Sequence, residues 1–418
     1  MGYQGFARTD APPARGAAEH RFAELGRATA GLQPPFAVVD LGAFDTNAAI
    51  LRRNAIGKPL RLVSKSLRCR ALMRRALAQP GFKGVLGFTL PEALWLAESD
   101  AHGEFDDIVV AYPTADTDAL RRLAADEELA RRITLMVDSV EHLDFLHRHV
   151  APNPSRPLRL CLELDVSLEL LGGRLHIGAH RSPVHTPEQA IAMAHEIDKR
   201  PGVDLVGVMG YESQIAGIQD AFSAAALRYP LVRLMQRVSR AELAERRAEA
   251  VVAVRSVADL EFVNGGGTGS VVSTAADPSV TEIAAGSGLY SPALFDGYRS
   301  IRPLPAAFFA LPVVRRPRAG LVTALGGGWV ASGVPGPDRL PKPAFPGGLR
   351  YTKTEGAGEV QTPLRGRAAD GLAIGDRVWM RHGKAGELAE RVNSIHLVLR
   401  GEVVDEVPTY RGEGRAFA

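Results

Sequence analysis

Lys65 closes the apolar run Leu60-Arg61-Leu62-Val63-Ser64, and a lysine held at the end of such a run can attack a carbonyl. Far away in the chain, Gly265-Gly266-Gly267-Thr268-Gly269-Ser270 follows the strand-like Leu260-Glu261-Phe262-Val263-Asn264. That loop offers backbone N–H groups with no side chains in the way, plus the hydroxyls of Thr268 and Ser270, and it suits a phosphate dianion. A second glycine loop, Gly286-Ser287-Gly288-Leu289-Tyr290, comes shortly afterwards. A lysine for a carbonyl and loops for a phosphate together point to pyridoxal phosphate. The chain has only seven lysines, Lys58, Lys65, Lys83, Lys199, Lys342, Lys353 and Lys384, so few residues compete for the role. Arg68 and partial desolvation would favour the neutral, nucleophilic amine at Lys65. On spacing alone, a solvated lysine capping a strand and a plain glycine turn remain open readings.

Other chemistry-bearing groups also fall at the ends of apolar runs. These are Glu163 and Asp165, then Tyr211 with Glu212 and Gln214, and Asn264. Arg174, His180 and Arg181 follow Asp165 and can partner those carboxylates, in a site or in a structural ion-pair network. Tyr211 can stack on a ring, act as an acid or base, or simply pack. Further on, Arg381-His382-Gly383-Lys384-Ala385-Gly386-Glu387 sets a histidine, a lysine and a carboxylate on one turn. His382 and Glu387 are candidate ligands for a divalent cation, and the competing reading is a hydrogen-bonded turn.

The elements that must position these residues alternate strand and helix from Leu60 to Tyr290. Strands are expected at Leu60–Lys65, Lys83–Phe88, Asp107–Tyr112, Ile133–Asp138, Leu158–Asp165, Val203–Tyr211, Leu260–Asn264 and Thr281–Ser287. Several are near-continuous Val, Ile and Leu runs, as parallel strands covered on both faces require. Stretches of helical spacing lie between them, the longest between Asp220 and Ser256. Eight such units predict an α/β fold, a (β/α)8 barrel, over an open doubly wound sheet. Counted from Leu60, the glycine loops follow strands seven and eight, and Lys65 ends strand one, which neighbours strand eight once a barrel closes. The count therefore brings the lysine and the loops to one mouth. After about Arg302, prolines and glycines punctuate short strands, including a hairpin across Arg400-Gly401-Glu402. The expected organisation is an arm over 1–34, a cofactor-binding barrel over 35–300 and a mostly β domain over 301–418. The strand at Phe36–Asp40 falls outside the count of eight and can join that last domain.

A formal net charge of +3 on 418 residues is too small to imply nucleic acid or a membrane surface. The two cysteines, Cys69 and Cys161, make neither a metal spacing nor a disulfide framework and are expected to be buried thiols. No stretch approaches the roughly 18 apolar residues of a membrane span, and the N-terminus lacks a signal-peptide pattern. The default is a cytoplasmic enzyme acting on a small molecule.

Phe36-Ala37-Val38-Val39-Asp40, Lys58-Pro59-Leu60-Arg61 and the strand-end Lys65 resemble the start of fold-type III pyridoxal-phosphate enzymes, and among these the D-threonine aldolases and D-serine dehydratases. The resemblance runs from about residue 33 over nearly the whole chain. It is nearest to a bacterial branch described as amino acid deaminase/aldolase, through Ser64-Lys65-Ser66, Gly210–Gly217, His382–Glu387 and Pro408–Gly414. It implies an alanine-racemase-like N-terminal barrel, a C-terminal β domain and a homodimer with active sites near the subunit interface. By position, Lys65 is the Schiff-base lysine. Gly266, Gly267, Thr268, Gly269, Gly286, Ser287, Gly288 and Tyr290 belong to the phosphate loops, and Tyr211, Asn264 and Arg181 also face the cofactor. The relatives carry a metal pair, His-x-Cys or His-x-Asp, in the β domain. Here the matching positions read Glu387 and Ala389, and alanine cannot coordinate, so His382 becomes the substitute ligand or base.

The expected activity is retro-aldol cleavage of a β-hydroxy D-amino acid to glycine, or another amino acid, and an aldehyde. Lys65, His382 and Tyr211 are the catalytic candidates. The alternatives are elimination to a 2-oxo acid and ammonia, racemisation, and pyridoxal-phosphate binding without turnover.

Overall fold

Near-continuous apolar runs form strands because each can be buried on both faces. Ile133–Val137, Ile-Thr-Leu-Met-Val, is buried at every position. The computed structural model describes residues 15–98, 103–221 and 229–417. In chain order the strands are β1 (Phe36–Asp40), β2 (Leu60–Val63), β3 (Phe82–Gly87), β4 (Ile108–Val110), β5 (Ile133–Val137), β6 (Leu158–Glu163), β7 (Leu168–Leu170), β8 (Leu175–Ile177), β9 (Val203–Gly210), β10 (Phe262–Gly265) and β11 (Glu282–Ala285). The second set is β12 (Ala307–Arg318), β13 (Leu321–Leu325), β14 (Lys342–Phe345), β15 (Arg350–Tyr351), β16 (Gln361–Arg365), β17 (Arg377–Arg381), β18 (Ser394–Leu399) and β19 (Glu402–Pro408).

Eight of these close a parallel barrel in the order β10-β11-β2-β3-β4-β5-β6-β9. The seam is the one that strand counting requires, with β11 paired in parallel to β2. β7 and β8 form a separate two-stranded hairpin on the loop after β6. Leu86, Val109, Met136, Cys161, Val206, Met209, Phe262 and Ala284 fill the barrel interior. One charged residue joins them. Arg61, 2% exposed, puts its guanidinium on Glu282 (2.6 and 2.9 Å) and on Asp107 (2.8 and 3.0 Å). A buried arginine is tolerable only with such paired acceptors. Gly84 makes room for it, since a Cβ there would sit 2.5 Å from Arg61 Nη1. Cys69 and Cys161 are both buried free thiols.

The second sheet has nine strands, with β1 inserted between β12, to which it is antiparallel, and β18, to which it is parallel. The N-terminal strand is thus a central member of a sheet otherwise made by the C-terminal part of the chain. The stretch read from sequence as an arm contains helix α1 (Arg15–Ala28), and residues 1–14 lie outside the described residues. Phe22 and Leu25 bury α1 against Phe36, Phe308 and Trp379 of this sheet. Phe22 stacks on Phe345 at 5.2 Å and meets Phe308 edge-on at 5.2 Å. Few large apolar residues of α1 carry this docking, which left its amphipathic signal weak. Helix α2 (Leu41–Asn54) then starts the barrel, capped by Asp40, which also pairs with Arg21 of α1 at 2.6 Å.

Candidate active site

β2 ends at Val63, and the chain turns through a short helical turn, Ser64–Ser66, that carries Lys65. The flanking serines hold the turn. Ser64 donates to the carbonyl of Leu86 at 3.2 Å, and Ser66 lies 3.0 Å from the Ser287 hydroxyl. Both serines are buried and Lys65 is exposed, so the turn presents the amine to the barrel mouth. There Lys65 Nζ donates to the Tyr112 hydroxyl at 2.6 Å. Arg181 Nη2 donates to the same oxygen at 3.4 Å while Nη1 binds Glu163 at 2.9 Å. The Arg181 guanidinium lies about 5 Å from both the Tyr112 and Tyr211 rings, bridging them.

These contacts set the proton affinities. Burial pushes the Tyr112 phenol up, but Lys65 and Arg181 together overcome it and leave the group below its ordinary range. Tyr211 moves the other way, raised by burial against a weaker pull from Arg181. Glu163 is also raised, because burial outweighs Arg181.

The glycine loop after β10 is held from behind. Glu212, buried at the end of β9, accepts the Gly266 amide at 2.8 Å and the Thr274 hydroxyl at 2.6 Å. Arg247 stands between Glu212 and Asp277, 3.1 Å from the latter. Gly266 adopts φ +84°, which only glycine takes without strain. Two amides expected to face a ligand are therefore spent inside the protein, Gly266 on Glu212 and Gly267 on Ser270 Oγ. What remains at the mouth are the Thr268 and Ser287 hydroxyls, the latter also paired with Ser66, and the leading amides of Thr268, Gly269 and Ser287 in the short turns Thr268–Ser270 and Ser287–Tyr290. Gly286 allows the second turn to approach, since a Cβ there would lie 2.7 Å from the carbonyl of Val63.

A cavity of about 220 Å³ joins these parts. Lys65, Arg181, Tyr211, Asn264, Gly266, Gly267, Thr268, Gly269, Gly286 and Ser287 all line it. Asn264 also donates to Glu282 at 2.8 Å, tying the pocket floor to the Arg61 cluster. Four sequence candidates lie elsewhere. Gly288 donates its amide to Thr268 Oγ1 and sits behind the wall. Tyr290 is fully buried and donates to the carbonyl of Leu67 at 3.1 Å. His382 is buried edge-on against Tyr290, and neither ring nitrogen has a partner among the described residues. Burial and the neighbouring Arg381 push its imidazole down to about 3, and it is not among the residues that line the cavity. Glu387 spends one oxygen on the Ser332 amide and hydroxyl at 3.1 and 3.2 Å. His382 as base at the substrate is accordingly corrected, while Glu387 Oε2 is buried with no partner among the described residues. The motif pointed at a turn that meets the cavity.

Lys384 and Ala385 are the residues of that turn that reach the cavity, where Arg339 joins them. The turn is stitched to the barrel by the Ala293 amide on the His382 carbonyl (3.0 Å) and the Leu294 amide on that of Gly383 (3.1 Å). A Cβ on Gly386 would sit 2.5 Å from the carbonyl of Lys65, which shows how closely the two meet. Burial draws the Lys384 ammonium below its usual range, with Glu387 opposing. The described lining residues include four cations, Lys65, Arg181, Arg339 and Lys384, and no carboxylate. Sequence reading missed Tyr112 as a site residue, although it ends the expected strand Asp107–Tyr112 and the strand-end rule points to it. Arg339 and Lys384 carried no such signal.

A strand-end lysine opposite glycine loops, at the mouth of an eight-stranded barrel with an appended sheet, defines an alanine-racemase-type fold. The family model for the alanine racemase N-terminal domain matches residues 39–290, more than half the chain, and the chain belongs to that family. No curated protein matches it. Among solved structures it is similar to D-threonine aldolase from Filomicrobium marinum, with 19% identity, 91% of this chain and 96% of that one covered, and a TM-score of 0.73. It is similar to D-threo-3-hydroxyaspartate dehydratase from Delftia sp. HT23, with 20% identity, coverages of 90% and 97%, and a TM-score of 0.62. An alanine racemase-like protein from Idiomarina loihiensis gives 14% identity, coverages of 90% and 97%, and a TM-score of 0.67. No helix of the described residues is long and apolar enough to cross a membrane.

Proposed function

We propose that the chain is a pyridoxal-phosphate-dependent lyase that cleaves a β-hydroxy D-amino acid by retro-aldol reaction, releasing a smaller amino acid and an aldehyde. One observation carries the reading: Lys65, Tyr112 and the two glycine turns share one cavity at the C-terminal mouth of the barrel. The residues present fit the cofactor. Lys65 would meet its aldehyde, the Thr268 and Ser287 turns would hold its phosphate, and Arg181 and Tyr211 would stand beside it. Pyridoxal phosphate, when bound, supplies an electron sink for the bond that breaks at Cα. The protein's part is to orient that bond and to move protons. Tyr112, in hydrogen-bond contact with Lys65, can take the proton that Lys65 must shed to act as a nucleophile and return it later. Arg339 and Lys384 offer the cationic wall that an amino-acid carboxylate needs.

Both D-threonine and D-threo-3-hydroxyaspartate, the substrates in the names of the two structural neighbours, are β-hydroxy D-amino acids, which supports that substrate class. The Lys65–Tyr112 contact favours a second reading, in which Lys65 removes the α-proton and the β-hydroxyl leaves, giving a 2-oxo acid and ammonia. The products discriminate. Protein reconstituted with pyridoxal phosphate is incubated with D-threonine, D-serine, D-3-hydroxyaspartate and their L isomers. Glycine plus aldehyde is the expected outcome, a 2-oxo acid plus ammonia would select elimination, and inverted substrate would select racemisation. The reconstituted protein should absorb in the near-visible, and Lys65→Ala should abolish both the band and turnover. A colourless wild type would sink the cofactor reading. We further propose a homodimer, because the family resemblance implies one.

A further inference from the structure

Outside the catalytic cavity, four side chains converge on the loop that joins β6 to helix Pro187–Asp198. Asp165 stands just past the end of β6 and is buried. Glu169 and His176 are register partners across the β7–β8 hairpin. His185 closes the loop immediately before the helix cap, Thr186. One donor atom from each of Asp165, Glu169 and His185 lies within 4.8 Å of the other two. The pairwise spacings are 3.3 Å for Asp165 Oδ2 to His185 Nδ1, 3.9 Å for His185 Nε2 to Glu169 Oε2, and 3.6 Å for His176 Nδ1 to Glu169 Oε1. A tetrahedral ion with bonds near 2.1 Å needs donors about 3.4 Å apart, and one donor atom from each of the three residues, all within 4.8 Å, approaches that spacing.

Three features distinguish this cluster from a solvated patch of ion pairs. First, its backbone is fixed in advance. Arg246, on helix Tyr229–Arg255, donates to the carbonyls of Asp165 (2.8 Å), His185 (2.9 Å) and Ser167 (2.8 Å). Second, the Asp165 carboxylate is oriented by Ser167, through the amide to Oδ1 and the hydroxyl to Oδ2, both at 2.9 Å. Such outer partners are what aim a ligand at an ion. Third, the His176 ring is stacked on His180 at 4.0 Å and 14°, and its Nε2 is buried with no partner among the described residues. None of the four donor residues is among those lining the catalytic cavity. Arg181, which does line it, lies on the same loop between His176 and His185.

We propose that Asp165, Glu169 and His185, with the His176 ring beside them, form a site for a divalent transition-metal cation of the zinc class. An imidazole with two carboxylates suits such an ion better than it suits calcium or magnesium, which prefer all-oxygen sets. The bound cation fastens the hairpin and loop, and thereby holds Arg181 against Glu163 and Tyr112. This is a structural site, independent of the reaction proposed above.

The purified protein, stripped with chelator and dialysed, is titrated with Zn²⁺ by calorimetry, and metal retained after gel filtration is counted by mass spectrometry. One zinc per chain is expected, with affinity reduced at least about tenfold in His185→Ala and Glu169→Gln. Zinc should raise the melting temperature of the wild type and not of these variants. Ser167→Ala, a milder change, should bind with intermediate affinity, and circular dichroism verifies that each variant is folded. His382→Ala should bind zinc as the wild type does. Failure of the wild type to retain zinc, undiminished binding in both His185→Ala and Glu169→Gln, or loss of binding in His382→Ala alone would overturn the proposal. None of these readouts depends on turnover, so they stand or fall separately from the lyase reading.

Discussion

The phenol of Tyr112 takes hydrogen bonds from two cationic donors, Lys65 at 2.6 Å and Arg181 at 3.4 Å. A phenol in that position is easier to ionise, and the proton it exchanges is the one Lys65 has to lose. Tyr112→Phe keeps the ring and its stacking on Arg181 but removes the exchange. It should lower kcat by about 10²–10⁴ with little change in KM, and it should leave the near-visible band in place. The wild-type pH profile should also show an ionisation below the ordinary phenol range that disappears in Tyr112→Phe. A profile unchanged by the substitution would exclude Tyr112 from proton transfer. Lys65 and the glycine loops were readable as residue types, because nucleophile and phosphate chemistry constrain composition directly. Tyr112 was readable only as a strand end. His382 misled because a histidine looks alike in sequence whether it faces a cavity or a core, and here burial decided.

Among the elements, helix Leu90–Glu98 and the C-terminal segment after β19 share a buried carboxyl. Glu92 accepts the Phe88 amide at 2.7 Å and the Tyr410 hydroxyl at 2.9 Å, with no exposure to solvent. Burial raises its proton affinity to about 7 from an ordinary 4.5, against the pull of those hydrogen bonds. The folded protein therefore holds this proton more tightly than the unfolded chain. The associated stability is present in full below 4.5, is lost as pH rises to about 7, and stays lost above it, an amount on the order of 3 kcal/mol at most. Glu92→Gln should flatten the melting temperature between those limits and raise it at pH 8, as thermal scans across pH would reveal. Helix α1 gives a second test at this scale. Phe22 is 7% exposed between Phe308, Phe345 and Trp379, and Phe22→Ala should cost about 3–5 kcal/mol in denaturant unfolding. A loss under 1 kcal/mol would mean that α1 is only loosely docked.

At the scale of the molecule, the pocket belongs to the barrel and the sheet together. Lys65, Tyr112, Arg181 and the glycine turns come from barrel strand ends, while Arg339 and Lys384 come from the sheet region. Asp296, just after the barrel, takes ion pairs from both Lys342 (2.6 Å) and Arg381 (2.8 Å) across this junction. The β1 strand, first in the chain and central in the sheet, ties the two halves from the other side. If the sheet supplies the carboxylate-binding wall, Arg339→Met and Lys384→Met should each raise KM for the amino acid about tenfold or more, while the near-visible band persists. Loss of the band would instead assign these residues to the cofactor.

The sequence alone determined what chain-local physics dictates. Continuous apolar runs separated by helical spacing required parallel strands, and counting eight of them put Lys65 beside the loops at Gly265 and Gly286. The lysine, the hydroxyls and the glycines likewise stated their chemistry by type. Only the tertiary structure decided which side chains turn inward, because orientation at a turn depends on what packs behind it. Tyr290 fills the space behind the mouth and His382 packs against it, Glu212 captures the amide of Gly266, and the close seat of Gly386 on Lys65 leaves Lys384 facing the cavity. Those contacts join residues far apart in the chain, Lys65 and Gly386 among them, and no local pattern encodes them.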